Sequence, residues 1–240
     1  MSWLLPPPPQ PRLFVQGQPV QGQEALFAVR RIWCVGRNYA AHAREMGADP
    51  EREPPFFFAK PADAIVPARE NQTIEVHYPP QTHNLHHEVE LVVAIGKSGR
   101  NLQADQALSH VFAVGVGLDL TRRDLQAAAK KVAQPWEMAK GFDESAPCSA
   151  LKLWQEWQSA DAQIELQVND KVTQKARLAE MIWPIAEVIA HLSRFVTLEP
   201  GDVIFTGTPE GVGPLVPGDL AVAKVSGLPE LSVRITQGYA

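Results

Sequence analysis

The densest chemistry in this 240-residue chain is the run His86-His87-Glu88-Val89-Glu90-Leu91-Val92-Val93. Its apolar, β-branched tail reads as a strand, and alternation puts Glu88 and Glu90 on one face, about 6.6 Å apart at the backbone. Two carboxylates on one face of a strand otherwise filled with valine and leucine repel each other and resist burial. A divalent cation between them removes that problem. A third carboxylate, Asp119, closes a second apolar run, Val114-Gly115-Val116-Gly117-Leu118, and is well placed to complete the site. Hard oxygen ligands with no obligatory nitrogen or sulfur select Mg²⁺ or Mn²⁺, with Ca²⁺ a further candidate. Three protein oxygens around an octahedral ion leave about three positions for water or a chelating ligand. A 2-oxo acid can present a carboxylate and a keto oxygen to such an ion, whose Lewis acidity stabilises an enolate at the adjacent carbon. Taken alone, Glu-x-Glu also describes the solvated face of an edge strand, and by itself favours that plainer reading. His86 and His87, as neighbours, face opposite ways, which suits supporting roles better than joint ligation.

The elements that must hold these groups are mostly strands. Arg12 to Val15 and the stretch around Val20, separated by Gly17, form a strand-like pair, and Ile32 to Val35 is a buried strand. Glu88 to Ile95 and Val111 to Leu120 are apolar and β-branched. Ile164 to Val168 and Lys171 to Thr173 flank Asn169-Asp170 as a hairpin. Val203 to Phe205 and Leu231 to Ile235 close the chain as strands. Tyr39 to Met46 reads as a short helix stopped by Gly47, and the polar, proline-containing stretch from Gly47 to Pro55 as a loop. Thr121 to Ala133 turns helical behind a capping-box-like Thr121-x-x-Asp124. Met181 to Val196 is the clearest amphipathic helix, with Ile182, Ile185, Ile189, Leu192 and Val196 at three- and four-residue spacing. Strand–helix alternation is irregular, which excludes a doubly wound sheet and points to a strand-dominated α+β fold.

Composition agrees with a globular enzyme-sized unit: 45% hydrophobic, 20% charged, net charge −5. A pI near 5.8 gives no electrostatic case for nucleic acid or an anionic membrane. No apolar run approaches the ~20 residues of a membrane helix, and Met1 to Leu5 is too short for a signal core, so a cytoplasmic location is expected. Cys34 and Cys148 read as isolated, buried thiols rather than a disulfide framework. Nothing has the thiolate spacing of a structural zinc site. Pro6 to Pro9 suggests an extended arm. The expected division is residues 1–30 as arm and short strands, and 31–240 as one catalytic domain.

Several blocks together make the sequence recognisable. They are Val35-Gly36-Arg37-Asn38-Tyr39-Ala40, His86 to Glu90, Leu118-Asp119-Leu120-Thr121 with Arg123-Asp124, Gln134-Pro135-Trp136 followed by Ala139-Lys140, and Gly201 to Pro209. In this order, from about residue 33 to 218, they resemble the fumarylacetoacetate hydrolase family, in particular its small acylpyruvase-like members. The resemblance implies a mixed β-roll, a homodimer and Mg²⁺ held at Glu88, Glu90 and Asp119. It implies substrate contacts at Arg37, Arg123, Gln126 and Thr208, and a catalytic role for Lys140. A cation, an amide and a hydroxyl are what a carboxylate-bearing, enolising ligand requires. Plainer readings stay open: an ion pair for Arg123, solvent for Gln126, a turn cap for Thr208. In the acylpyruvase-like members the pair matching His42 and Glu45 is a lid-borne dyad that activates water; three residues apart, the two share a helical face, with Glu45 raising the imidazole's basicity. Residues 47–55 would supply the mobile part of that lid.

This chemistry supports three reactions: hydrolysis of an acylpyruvate (fumarylpyruvate-type) carbon–carbon bond, decarboxylation of oxaloacetate, and oxaloacetate enol–keto tautomerisation. The presence of both His42 and Glu45 favours hydrolysis, narrowly. A non-catalytic 2-oxo acid binding protein is the reading from another class, and the intact set of ligands, dyad, Lys140 and Thr208 weighs against it.

Overall fold

The computed structural model describes residues 4–40, 53–157 and 162–238. Strands are numbered in chain order. An antiparallel hairpin joins β1 (Arg12–Val20) to β2 (Gln23–Ala28). The main sheet runs β4 (Phe56–Lys60), β3 (Arg31–Gly36), β15 (Asp202–Phe205), β8 (Val89–Ile95), β9 (Val111–Leu118), β11 (Ala146–Cys148), β5 (Ile65–Pro67), and β12 (Lys152–Leu153) also pairs with β9. A second sheet runs β14 (Lys171–Arg177), β13 (Gln163–Val168), β17 (Leu220–Val225), β18 (Leu231–Thr236), β6 (Thr73–His77). The short β7 (Leu85–His87) lies between β10 (Thr121–Arg122) and β16 (Gly213–Leu215). Among the described residues the α-helices are few: α1 (Ala104–Ala107), α2 (Arg123–Lys131), α3 (Glu137–Lys140) and α4 (Ile185–Phe195).

With 43% strand and 19% helix, the fold is a strand-dominated α+β architecture with a curled main sheet. Only β15–β3 and β11–β5 pair in parallel within that sheet, so a doubly wound arrangement is excluded. Every residue of β8 is buried. Leu91, Val93 and Ile95 enter a core shared with the second sheet and α4, while Val92 and Ala94 enter a smaller core under the β1–β2 hairpin. Burial on both faces explains why the strand reads as an unbroken apolar run. It also makes the carboxylate of Glu90, on the Val92 face, costly unless something compensates it.

The Asn169-Asp170 turn is as expected, with φ of 50° and 64° and strands paired on either side, the geometry of a tight hairpin. Three local readings need correction. Gly17 does not divide two strands; β1 runs through it with a register irregularity, and the chain turns at Gln21-Gly22. Thr121 and Asp124 form no capping box, because the Thr121 hydroxyl donates to Asp119 C=O and Asp124 accepts from the Thr82 hydroxyl and His83 N–H. The amphipathic helix begins at Ile185, not Met181, since Pro184 restricts the residue before it and takes the cap position. The expected Tyr39–Met46 helix falls almost wholly outside the described residues.

Candidate active site

One end of the main sheet gathers the chemistry. β8 and β9 are antiparallel, with Val89 opposite Leu118 and Glu90 opposite Gly117. The start of β8 therefore meets the end of β9, and the Asp119 N–H donates to Glu88 C=O at 2.9 Å. Glu90, Gly117 and Asp119 share a face by alternation. A side chain at Gly117 would meet the Phe205 ring at 2.5 Å, so only glycine leaves room there. Carboxylate oxygens of Glu88, Glu90 and Asp119 lie within 4.8 Å of one another, and all three residues are buried.

Three cations compensate them. Lys140, ending α3, bridges Glu88 Oε2 at 2.7 Å and Asp119 Oδ2 at 2.6 Å. Lys60, ending β4 and fully buried, lies 2.8 Å from Asp119 Oδ1 and donates to the carbonyls of Leu120 and Lys140. Arg123, opening α2, pairs with Glu88 Oε1 and donates to Gln126 Oε1 at 2.7 Å. Among the described residues no side-chain cation pairs with Glu90; Gly207 N–H donates to its Oε2 at 2.7 Å. Gly207 has φ +96°, and a Cβ there would lie 2.5 Å from Asn38 Cβ, so glycine is required.

The electrostatics follow. Burial, then Asp119 and Glu88, push the Glu90 carboxyl well above the ordinary range, with Lys140 and Gly207 N–H opposing. Burial alone would lower Lys140, but Asp119 and Glu88 outweigh it and hold the ammonium charged. Asp119 Oδ1, although beside Lys60, accepts no directed hydrogen bond. Three clustered hard oxygens, a carboxyl with a raised pKa and a carboxylate oxygen with no directed donor fit a divalent metal. Among the described residues, histidine is not part of this donor set. His86 is held neutral, its pKa lowered to about 4 by burial and then Arg123, whose Nε approaches its Nδ1 at 3.4 Å. Burial lowers His87 as well, and its Nδ1 faces Gln174.

Above the carboxylates lies a cleft walled by Arg37, Phe56, Phe58, Arg123, Gln126, Lys130, Trp136, Lys140 and Thr208. Arg37 stands at its mouth with φ 59°, an uncommon backbone state for a side-chain-bearing residue, its guanidinium 5.4 Å over Phe56. Lys130 lies 5.1 Å over Trp136; burial, Arg123 and Arg37 lower its pKa. Thus Arg37, Arg123, Gln126, Lys140 and Thr208 come together with the three carboxylates. Gln126 is buried against Arg123 rather than facing solvent. His42 and Glu45 lie outside the described residues.

The sequence profile of the fumarylacetoacetate (FAA) hydrolase C-terminal family matches residues 31–236. The chain belongs to the fumarylacetoacetate hydrolase family. The crystal structure of fumarylpyruvate hydrolase from Pseudomonas aeruginosa in complex with Mn²⁺ and pyruvate is similar at 48% identity and a TM-score of 0.94, covering 98% of this chain and 100% of that one. Fumarylpyruvate hydrolase of Ralstonia sp is 40% identical over 187 residues, 78% of this chain and 95% of its own. Oxaloacetate tautomerase YcgM of Escherichia coli (strain K12) is 42% identical over 202 residues, 83% and 90% of the two chains. No helix among the described residues is long and apolar enough to cross a membrane.

Two site residues carry little signal in the sequence. Lys60 closes an apolar run, Phe56 to Ala59, and nothing there announces a buried cation. Gln174 sits in a polar hairpin strand. Lys130 was more legible, for it repeats at three, then four residues after Arg123 and Gln126, on the same helical face.

Proposed function

We propose that this family member cleaves the carbon–carbon bond of an acylpyruvate of the fumarylpyruvate type, using a divalent cation, with Mg²⁺ the expected ion. The convergence of Glu88, Glu90 and Asp119 beneath a cleft walled by cations, an amide and a hydroxyl carries this reading. Bound by these three residues, the cation supplies Lewis-acid polarisation of the 2-oxo group.

The remaining steps belong to the chain itself. Arg123, Gln126 and Thr208 hold the 2-oxo carboxylate, a role suited to a guanidinium, amide and hydroxyl. Lys140 stays protonated and donates to the oxygen on which negative charge develops, which lowers the barrier electrostatically. The His42–Glu45 dyad takes a proton from water, whose oxygen attacks the distal carbonyl carbon. The bond from that carbon to the methylene then breaks, its electron pair passing into the pyruvate enolate, which a proton returns to pyruvate. With their carboxylates ionised, Glu88, Glu90 and Asp119 balance Lys60, Lys140 and Arg123. A divalent cation adds two positive charges, which a dianionic substrate offsets, and Arg37 and Lys130 favour a negative charge on its far arm.

Oxaloacetate tautomerisation or decarboxylation is the second reading, supported by the Escherichia coli relative. A homodimer, a cytoplasmic location and a catalytic unit over residues 31–240 complete the proposal. The test is a proton NMR time course of Mg²⁺-loaded protein given fumarylpyruvate and oxaloacetate separately. Pyruvate and fumarate from the first, faster than any change in the second, are expected. Intact fumarylpyruvate beside accelerated loss of oxaloacetate would move the assignment to the second reading.

A further inference from the structure

Gln174 in β14 is buried at 1% exposure and joins two walls of the site. Its Oε1 accepts from Val89 N–H at 3.1 Å, and its Nε2 donates to Pro209 C=O at 2.8 Å. A backbone N–H can only donate and a carbonyl can only accept, so these partners fix which end of the amide is which. Two consequences follow at once. His87 must carry a proton on Nδ1, 3.0 Å from Gln174 Oε1. Thr208 Oγ1, 2.8 Å from Gln174 Nε2, must accept. Both Nε2 protons are then committed, and the hydroxyl's own proton cannot go to Gln174. Among the described residues nothing else accepts it, and Thr208 lines the cleft.

We propose that Gln174 is a positioning residue that sets the sense of the Thr208 hydroxyl, making it a donor to a carboxylate in the cleft. A free hydroxyl can donate or accept, whereas an ionised carboxylate only accepts. Occupying the oxygen from behind removes the unproductive orientation before the anion arrives. This rests on the reading of the cleft as a 2-oxo acid site, and deepens it by naming what makes one wall anion-selective.

The test uses Gln174→Glu, which keeps the shape and still accepts from Val89 and His87. When ionised, it can only accept from Thr208, so the hydroxyl proton turns away from the cleft. Pyruvate binding to Mg²⁺-loaded protein is measured by calorimetry, with Mg²⁺ affinity and thermal melting recorded for each variant. Gln174→Glu and Thr208→Val should each weaken pyruvate roughly 10- to 100-fold, the scale of a hydrogen bond to a charged group. In the Thr208→Val background, Gln174→Glu should cost little more, and KM for fumarylpyruvate should rise more than kcat falls. Gln174→Met, uncharged, guards against a folding defect: it frees the hydroxyl without reversing it, giving a smaller loss that again vanishes without Thr208's hydroxyl. Equal losses in both backgrounds, or wild-type affinity in Gln174→Glu, would overturn the role. A wild-type protein that does not bind pyruvate would instead overturn the reading of the cleft, and this role with it.

Discussion

Replacing Lys60 by methionine removes one of three cations that meet the buried carboxylates and keeps the length of the side chain. Its ammonium lies 2.8 Å from Asp119 Oδ1, with both side chains at most 1% exposed. At an effective dielectric of about 20, that pair attracts by about 6 kcal/mol. Methionine avoids the cost of burying an ammonium, which offsets part of the loss. It also leaves the Leu120 and Lys140 carbonyls short of a donor. Breaking one side of a buried pair costs ~3–5 kcal/mol, and metal-free Lys60→Met should lose that much. A divalent cation restores positive charge beside Asp119, so saturating Mn²⁺ should recover a large part of the deficit. If the recovery is about 2 kcal/mol greater than in wild type, Mn²⁺ binds the variant about 30-fold more tightly. Urea unfolding with chelator and with Mn²⁺, for both proteins, measures all four stabilities. A loss below about 1 kcal/mol, or one identical with and without Mn²⁺, would refute the role of the Lys60–Asp119 pair.

Glu90→Gln should weaken Mn²⁺ binding roughly 100-fold or more by removing a ligand, without destabilising metal-free protein, since the neutral amide replaces a carboxyl that burial, Asp119 and Glu88 favour in its neutral form; calorimetry and melting read both effects. The raised Glu90 pKa gives opposite pH trends with and without metal. In metal-free protein the folded state keeps a proton that the unfolded chain has released, so Glu90's contribution to stability falls as pH rises through the folded pKa. The cation must displace that proton, so Mn²⁺ affinity should rise as pH climbs above the ordinary carboxylate range, by at most tenfold per unit, and Glu90→Gln should lose that component. His42→Ala should slow fumarylpyruvate cleavage roughly 10²-fold and slow oxaloacetate decarboxylation much less. Equal effects on both rates would remove the dyad from the mechanism.

The carboxylate triad was legible because its parts are local: Glu88 and Glu90 stand two residues apart, although Glu88 lies at the break between β7 and β8 rather than within a strand, and Asp119 follows a strand whose apolar run is unmistakable. The Asn169-Asp170 hairpin was equally local. What resisted reading depends on how distant strands close together. Lys60 reaches Asp119 across 59 positions of sequence, and Gln174 touches Val89 and Thr208 from a strand that looks like a solvated hairpin. The capping-box pattern at Thr121 misled because Thr82 and His83, far away in sequence, claim Asp124 first. Arg123 and Gln126 fell between these cases: their helical spacing was visible, but the Glu88 carboxylate that orients Arg123 was not.

The most direct measurement is the rate of pyruvate release from fumarylpyruvate by protein stripped of metal and then titrated with Mg²⁺ or Mn²⁺, in parallel with Glu88→Ala. Turnover should vanish on chelation, return with the cation in wild type, and stay absent in the variant. Undiminished turnover in metal-free protein, or a fully active Glu88→Ala, would contradict the assignment of the three carboxylates as the metal-holding centre of the reaction.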